Sequence, residues 1–241
     1  MNNVTIVGMI YKSVSYIDFM MRNIKEYCLD SDKYDVNYLI VANDASEVIL
    51  NKLRIDNISF LEYNDPFPND YYLNRVYRAW NFGGVMADGD IIVFINSDMA
   101  FSEGWLENLL RKLKSDTIPC SRLVESGKLR SAVNAISMNF GQTSETFDRN
   151  QFLEYAKTIS EDKVLDKGLF MPCAFYKDDF IKSGGYPEGN IYMGGAGKHK
   201  TKFLCSGDKY FFYENTVMKK KQHITVFDSI VYHIQEGEKD E

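Results

Sequence analysis

What the sequence lacks narrows its function first. It has 4 cysteines in 241 residues, and Cys28, Cys120, Cys173 and Cys205 are scattered with no CxxC pair. That spacing argues against a structural zinc site and reads as four free thiols in a reducing cytosol. Met1-Asn2-Asn3 runs straight into an apolar strand, with no basic region ahead of an apolar segment, so no secretory leader is visible. No apolar stretch approaches membrane-spanning length. The reading is a soluble, cytoplasmic protein that meets membranes only peripherally, through a partner or its substrate. Positive charge is not in excess either. Lys and Arg number 28 against 34 Asp and Glu, for a formal net charge of −6, which excludes nucleic-acid binding by bulk electrostatics. Without an internal repeat or a low-complexity linker, residues 1–241 read as one domain.

What is present is an ordinary globular composition, 45% apolar and 26% charged, enough to bury a sizeable core. The 16 Tyr and 16 Phe suit a carbohydrate or nucleotide site, although core packing accounts for most of them. Apolar runs predict strands at Val4–Ile10, Val36–Val41, Ile58–Tyr63 and Ile91–Ile95. Helical periodicity predicts helices over Tyr16–Leu29, Glu47–Leu53 (capped by Ser46) and Tyr71–Ala87. Such alternation gives an α/β fold with a mostly parallel central sheet and helices on both faces. The second half is less regular. Helices are expected at Glu103–Lys114, Phe147–Ile159 and Asp208–Lys221, and strands within Leu129–Asn139, Leu169–Tyr176 and Ile224–Ile234.

The densest signal lies between Trp80 and Asp98. A helix ends near Gly89, read as its left-handed stop. A fully apolar strand follows, and Asn96-Ser97-Asp98 sits at that strand's carboxyl end. Ligands bind at that end in open α/β sheets. A carboxylate beside an amide oxygen and a hydroxyl offers hard ligands for Mg²⁺ or Mn²⁺. The plain alternative is a turn that caps the next helix.

Four segments together resemble the family 2 glycosyltransferases of the GT-A, Rossmann-like fold. Val4–Lys12 is similar to the family's opening strand, with Tyr11 kept. Val41–Ser46 resembles its Asp-Asp-Gly-Ser turn, with Asn43 in the first acidic place. Asn81-Phe82-Gly83 followed by Ala87-Asp88-Gly89-Asp90 matches its Asn-x-Gly…Ala-x-Gly-Glu pattern, and Asn96-Ser97-Asp98 falls on the Asp-x-Asp position. Later, Phe170–Phe175 with Gly184–Glu188 resembles the strand and Gly-Gly-aromatic turn beside the sugar. Gly207-Asp208 stands where the family has Glu-Asp, and Tyr232-His233 resembles its C-terminal metal-binding His.

The resemblance implies an inverting, metal-dependent transferase of hexosyltransferase type. It would move a sugar from a nucleotide-sugar donor, UDP-linked by family prior, to a glycan or glycoconjugate acceptor, as in polysaccharide biosynthesis. Residues 1–98 would form the donor half and 99–241 the acceptor half. Asp208 is then the base; a helix N-terminus would keep its carboxylate ionised, although Asp is also a favoured N-cap. Asp98 and His233 are the metal ligands for Mn²⁺ or Mg²⁺, with imidazole favouring Mn²⁺; a satisfied structural histidine is the alternative at 233. Ile10, Tyr11, Asn43 and Asp44 stand at strand ends where base and ribose would rest, unless Asn43-Asp44 only makes an Asx turn. Asn96 and Ser97 join Asp98 toward the donor. Arg75 and Asn81 lie on different flanks of one helix, so only one can point at the ligand, and the motif favours Asn81. Gly185 and Tyr186 belong beside sugar and acceptor. Lys198-His199-Lys200 with Lys202 is either a lid over the diphosphate or a solvated loop.

Three departures matter: Asn96 for Asp, Gly207 for Glu and Lys12 for Asn. Asn96 and Gly207 keep a non-catalytic nucleotide-sugar-binding module open. A sugar nucleotidyltransferase is the other alternative, although Gly8–Ser13 has only one Gly and one Lys where such enzymes open with a Gly-rich basic loop.

Overall fold

The computed structural model describes residues 2–129, 133–188, 190–193, 203–215 and 219–236. Its first half alternates as the patterning predicts: β1 (Asn2–Ile10), α1 (Val14–Tyr27), β2 (Tyr34–Asn43), α2 (Glu47–Ile55), β3 (Phe60–Tyr63), α3 (Tyr72–Met86) and β4 (Ile91–Ile95). β1 pairs in parallel with β2 and β4, and β2 with β3. Alternate residues of these strands feed two apolar clusters. Ile6, Ile40 and Val93 enter one with α1 and α2, while Val7, Val41 and Phe94 enter the other with α3. β4 is therefore buried at every position, which is why it reads as an unbroken apolar run. Ser46 caps α2 by accepting from the Ile49 N–H.

The second half continues with β5 (Met99–Phe101), α4 (Trp105–Leu110), β6 (Thr117–Glu125), β7 (Ile136–Ser137), α5 (Arg149–Ile159), β8 (Val164–Asp166), β9 (Cys173–Tyr176), α6 (Lys177–Ser183), β10 (Asn190–Met193), β11 (Phe203–Ser206), α7 (Gly207–Tyr213) and β12 (Gln222–His233). The main sheet has strand order β3-β2-β1-β4-β9-β6-β12-β5. β9 runs antiparallel to both β4 and β6, while β6 and β12 are parallel. Consequently β1, β2, β4, β6 and β12 all point the same way, and their carboxyl ends share one rim. The expected mostly parallel sheet is present, with β5, β8 and β9 as antiparallel additions.

Several boundaries differ from the sequence reading. Gly89 is not a left-handed helix stop: α3 ends at Met86, its cap residue Ala87 is extended (φ −59°, ψ 139°), and Gly89 has no positive φ. It is needed for close approach instead, since a Cβ there would lie 2.6 Å from the Thr5 nitrogen and 2.9 Å from the Asn3 carbonyl oxygen. α4 begins only after Gly104, which is left-handed at φ 71°. The α-helical part of α7 stops at Tyr213 rather than Lys221, with Glu214 and Asn215 in a wider π turn, where the Asn215 amide donates back to the Phe211 carbonyl (2.9 Å). The strand expected within Leu129–Asn139 is confined to Ile136–Ser137. The last strand is one element, with a register shift between Val226 and Ile230.

Candidate active site

The rim formed by the parallel strand ends collects most of the predicted site residues. β4 lies inside the sheet and β5 at its far edge beyond β12, yet only Asn96-Ser97-Asp98 separates them in sequence. That short crossing carries Asp98 over to the end of β12. There the Asp98 carbonyl accepts from Ile234 N (3.1 Å), and its carboxylate accepts from Glu236 N (3.3 Å). Asp98 Oδ1 lies 3.4 Å from His233 Nε2, and Glu125 Oε1 lies 3.7 Å from His233 Nδ1.

The electrostatics follow from burial and this pairing. Burial alone would depress the His233 imidazole, but the Asp98 and Glu125 carboxylates outweigh it and raise it to about 9. For Asp98, burial pushes upward, and His233 with the Glu236 N–H holds the carboxyl below its ordinary value. A carboxylate and an imidazole side by side suit a divalent ion of the Mn²⁺ type. Among the described residues no group of three His, Cys, Asp or Glu side chains is placed to hold an ion.

Two adjoining cavities open here. One, of about 570 Å³, is lined by Tyr11, Asn96, Ser97, Asp98, His233 and Glu236, among others. The other, of about 240 Å³, is lined by Tyr77, Glu125, Phe170, Tyr186, Asp208 and His233, among others. They share Leu73, Val76, Trp80, Asn96 and His233 as walls. Asp208 is in the first turn of α7. Its Oδ1 accepts from the Ser206 hydroxyl and from its neighbour Lys209 N (2.6 Å). Burial, with Asp208 alongside, holds the Tyr77 phenol well above its ordinary range.

Other predicted residues sit elsewhere on the rim or behind it. Ile10 is fully buried in the core, and Asn43 is 3% exposed with its Oδ1 lacking a hydrogen-bond partner. Asp44 adopts a left-handed φ of 47°, and its carboxylate is already engaged: Oδ1 accepts from Asp65 N (2.8 Å), and Oδ2 accepts from Arg75 Nε (3.1 Å) and Nη2. The Arg75 guanidinium lies 5.9 Å from the Tyr11 ring centroid. Asn81 lines neither cavity. It donates to the Tyr186 carbonyl (2.8 Å) and accepts from Tyr186 N (2.7 Å). Gly185 is left-handed at φ 68°, and a Cβ there would meet Asn81 Oδ1 at 2.3 Å. Tyr186 in turn stacks on Tyr77, with centroids 5.9 Å apart. The basic run Lys198-His199-Lys200 with Lys202 lies outside the described residues.

Gly207, one of the departures, has a structural cause. A Cβ there would lie 2.3 Å from the Pro187 carbonyl oxygen and 2.7 Å from the Tyr77 ring, so the turn after α6 packs directly onto the start of α7. Sequence reading missed Glu125 and Glu236. Glu125 closes β6, but the mixed stretch Thr117–Val124, with Pro119, Ser121 and Arg122 in it, carries no clear strand pattern, and no motif marked the acid.

An open sheet with an acidic turn between its central and edge strands, facing a histidine on the last strand, has the architecture of the GT-A glycosyltransferases. The chain belongs to glycosyl transferase family 2, whose model matches residues 6–183. Among solved structures it resembles the mannosyltransferase PcManGT from Pyrobaculum calidifontis in complex with GDP-Man and Mn²⁺. That match has a TM-score of 0.58 and 14% identity, covering 96% of this chain and 56% of that one. It also resembles GalNAc-T7 with UDP, GalNAc and Mn²⁺, with a TM-score of 0.62 and 11% identity, covering 97% of this chain and 44% of that one. This chain thus corresponds to about half the length of either neighbour, and the likeness is one of fold. A search of curated proteins finds no match.

Proposed function

We propose that the protein is a metal-dependent, inverting glycosyltransferase of hexosyltransferase type, moving a sugar from a nucleoside-diphosphate sugar to a hydroxyl of a glycan or glycoconjugate. One observation carries the reading: the Asp98–His233 pair and Asp208 line adjoining cavities with common walls. The family makes a UDP-sugar the first donor to test. Tyr11, Asn96 and Ser97 would line the donor side, and Tyr186 the acceptor side. Residues 1–98 would serve mainly the donor and 99–241 the acceptor, with His233 closing the metal pair across that division.

Asp98 and His233 would hold the ion, with phosphate and water completing its shell; when bound, it would neutralise charge on the departing diphosphate. Asp208 takes the proton of the acceptor hydroxyl. The acceptor oxygen forms the bond to the anomeric carbon, and the diphosphate leaves with the electron pair of the broken bond. One carboxylate acting on the face opposite the leaving group inverts the anomeric centre. The held turn at Tyr186 fixes the acceptor wall, so little reorganisation is needed when the acceptor enters. Among the described residues no helix is long and apolar enough to cross a membrane, and a lipid-linked or polysaccharide acceptor would be met from the surface.

The test is a thermal-shift screen of nucleoside diphosphates with and without Mn²⁺, followed by NMR of the product's anomeric configuration. A ligand at a hundredfold excess over its Kd adds about 2.7 kcal/mol of apparent stability. Mn²⁺-dependent stabilisation and an inverted product support the reading. Pyrophosphate release from a nucleoside triphosphate and a sugar phosphate would replace it with nucleotidyl transfer, and binding without any transfer would make the chain a recognition module.

A further inference from the structure

Glu125 belongs to no motif, yet it is the acid that faces His233 from the side opposite Asp98. It is the last residue of β6 and 4% exposed. It is also the register partner of His233 on parallel β12, so both side chains leave the same face of the sheet. The imidazole stands between two acids, with Nε2 3.4 Å from Asp98 Oδ1 and Nδ1 3.7 Å from Glu125 Oε1. Nδ1 is buried and makes no hydrogen bond, because 3.7 Å is beyond hydrogen-bond reach. A modest tilt of the ring would shorten that gap to about 3 Å.

A neutral imidazole offers a lone pair on one nitrogen only when the other carries the hydrogen. An ionised carboxylate only accepts. Carboxylates face both nitrogens, so once a cation sits between Nε2 and Asp98 the hydrogen of the neutral ring belongs on Nδ1, toward Glu125, and the lone pair on Nε2. We propose that Glu125 is a positioning residue for His233: it takes the Nδ1–H bond, fixes the ring and aims Nε2 at a divalent ion shared with Asp98. The carboxylate–imidazole–metal chain is a general way of setting ligand orientation and basicity. The inference rests on Asp98 and His233 being the metal pair, but not on any transfer reaction.

The test is Mn²⁺ affinity measured by electron paramagnetic resonance on the whole chain, with and without UDP. Glu125→Gln, close in size but uncharged, is expected to weaken Mn²⁺ binding ten- to a hundredfold. The same substitution in a His233→Ala background is expected to change it less than twofold, because Glu125 acts through the ring. A second readout needs no substitution at 125. In ¹⁵N-histidine spectra of the Zn²⁺-loaded protein, His233 is expected to carry its hydrogen on Nδ1. With 3 histidines in the sequence, the His233→Ala spectrum assigns the signal. Unchanged Mn²⁺ affinity in Glu125→Gln, an equal loss in both backgrounds, or the hydrogen on Nε2 would overturn the proposal. Wild-type Mn²⁺ binding that Asp98→Asn abolishes would uphold the metal pair even then, and that separates the two failures.

Discussion

Asn81 and Tyr186, 105 residues apart, are joined by a pair of hydrogen bonds in which one side-chain amide satisfies both the N–H (2.7 Å) and the carbonyl (2.8 Å) of one backbone residue. The amide thus reproduces a strand's ladder between α3 and the turn after α6. The motif residue expected to touch the donor holds the wall of the neighbouring cavity.

This gives the first expectation. Asn81→Ala should destabilise the protein by roughly 1–3 kcal/mol in urea unfolding, because both backbone groups lose their partner. Donor affinity should change little, while acceptor KM rises through a loosened Tyr186. A large loss of donor affinity at unchanged stability would instead make Asn81 a donor contact.

Gly207→Ala should also be costly. The Cβ would sit 2.3 Å from a backbone oxygen, which no rotamer relieves. A destabilisation of roughly 1–3 kcal/mol is expected from such overpacking. Gly207→Glu, which restores the family residue, should do no better. A Gly207→Glu protein with wild-type Tm would show that the turn yields easily.

Asp98 and Asp208 should fail differently. Asp208→Asn should retain Mn²⁺-dependent nucleotide binding while kcat falls about 10²–10⁴-fold, the usual contribution of a general base. Asp98→Asn should lose the Mn²⁺ dependence of nucleotide binding itself. Calorimetry beside initial rates separates the two.

The two described histidines should give stability opposite pH slopes. His223 is buried against the Leu169 carbonyl (3.0 Å), and burial lowers its pKa from the ordinary 6.5 to about 4. Between those values the unfolded chain binds the proton and the folded chain does not. Its contribution is therefore complete above pH 6.5 and is lost as pH falls through 4, about 3 kcal/mol at full effect. His233 is raised to about 9, so in the metal-free protein its contribution is complete below pH 6.5 and is lost as pH rises through 9. Urea unfolding from pH 4 to 10 should show His223→Gln flattening the acid limb and His233→Gln the alkaline limb. Variants with wild-type slopes would contradict the assigned shifts.

The first half was legible because its patterns are local. Ile91–Ile95 matches its strand without adjustment, Ser46 caps α2 as read, and the rim follows from the strand order. What was not legible shares one cause, contact with distant chain. Gly89 looks like a helix stop, but its demand comes from β1. Asn81 and Asp44 fill motif positions, and the motif gave no sign that their side chains also bond Tyr186 and Arg75. Glu125 was invisible because its meaning depends on the register of β6 with β12, which no single stretch encodes. Asp98 was legible by motif, whereas its crossing to the sheet's far edge was not.

Between the two blocks of co-directional strands lies β9, only Cys173–Tyr176. Along β6 it is held by a single residue pair, Cys120 with Cys173, and by the bond from Ser121 N to the Pro172 carbonyl. Any motion of one block of strands against the other would flex this narrow suture. A change at Cys173 would therefore be felt on both sides of the seam, although that residue lines neither cavity.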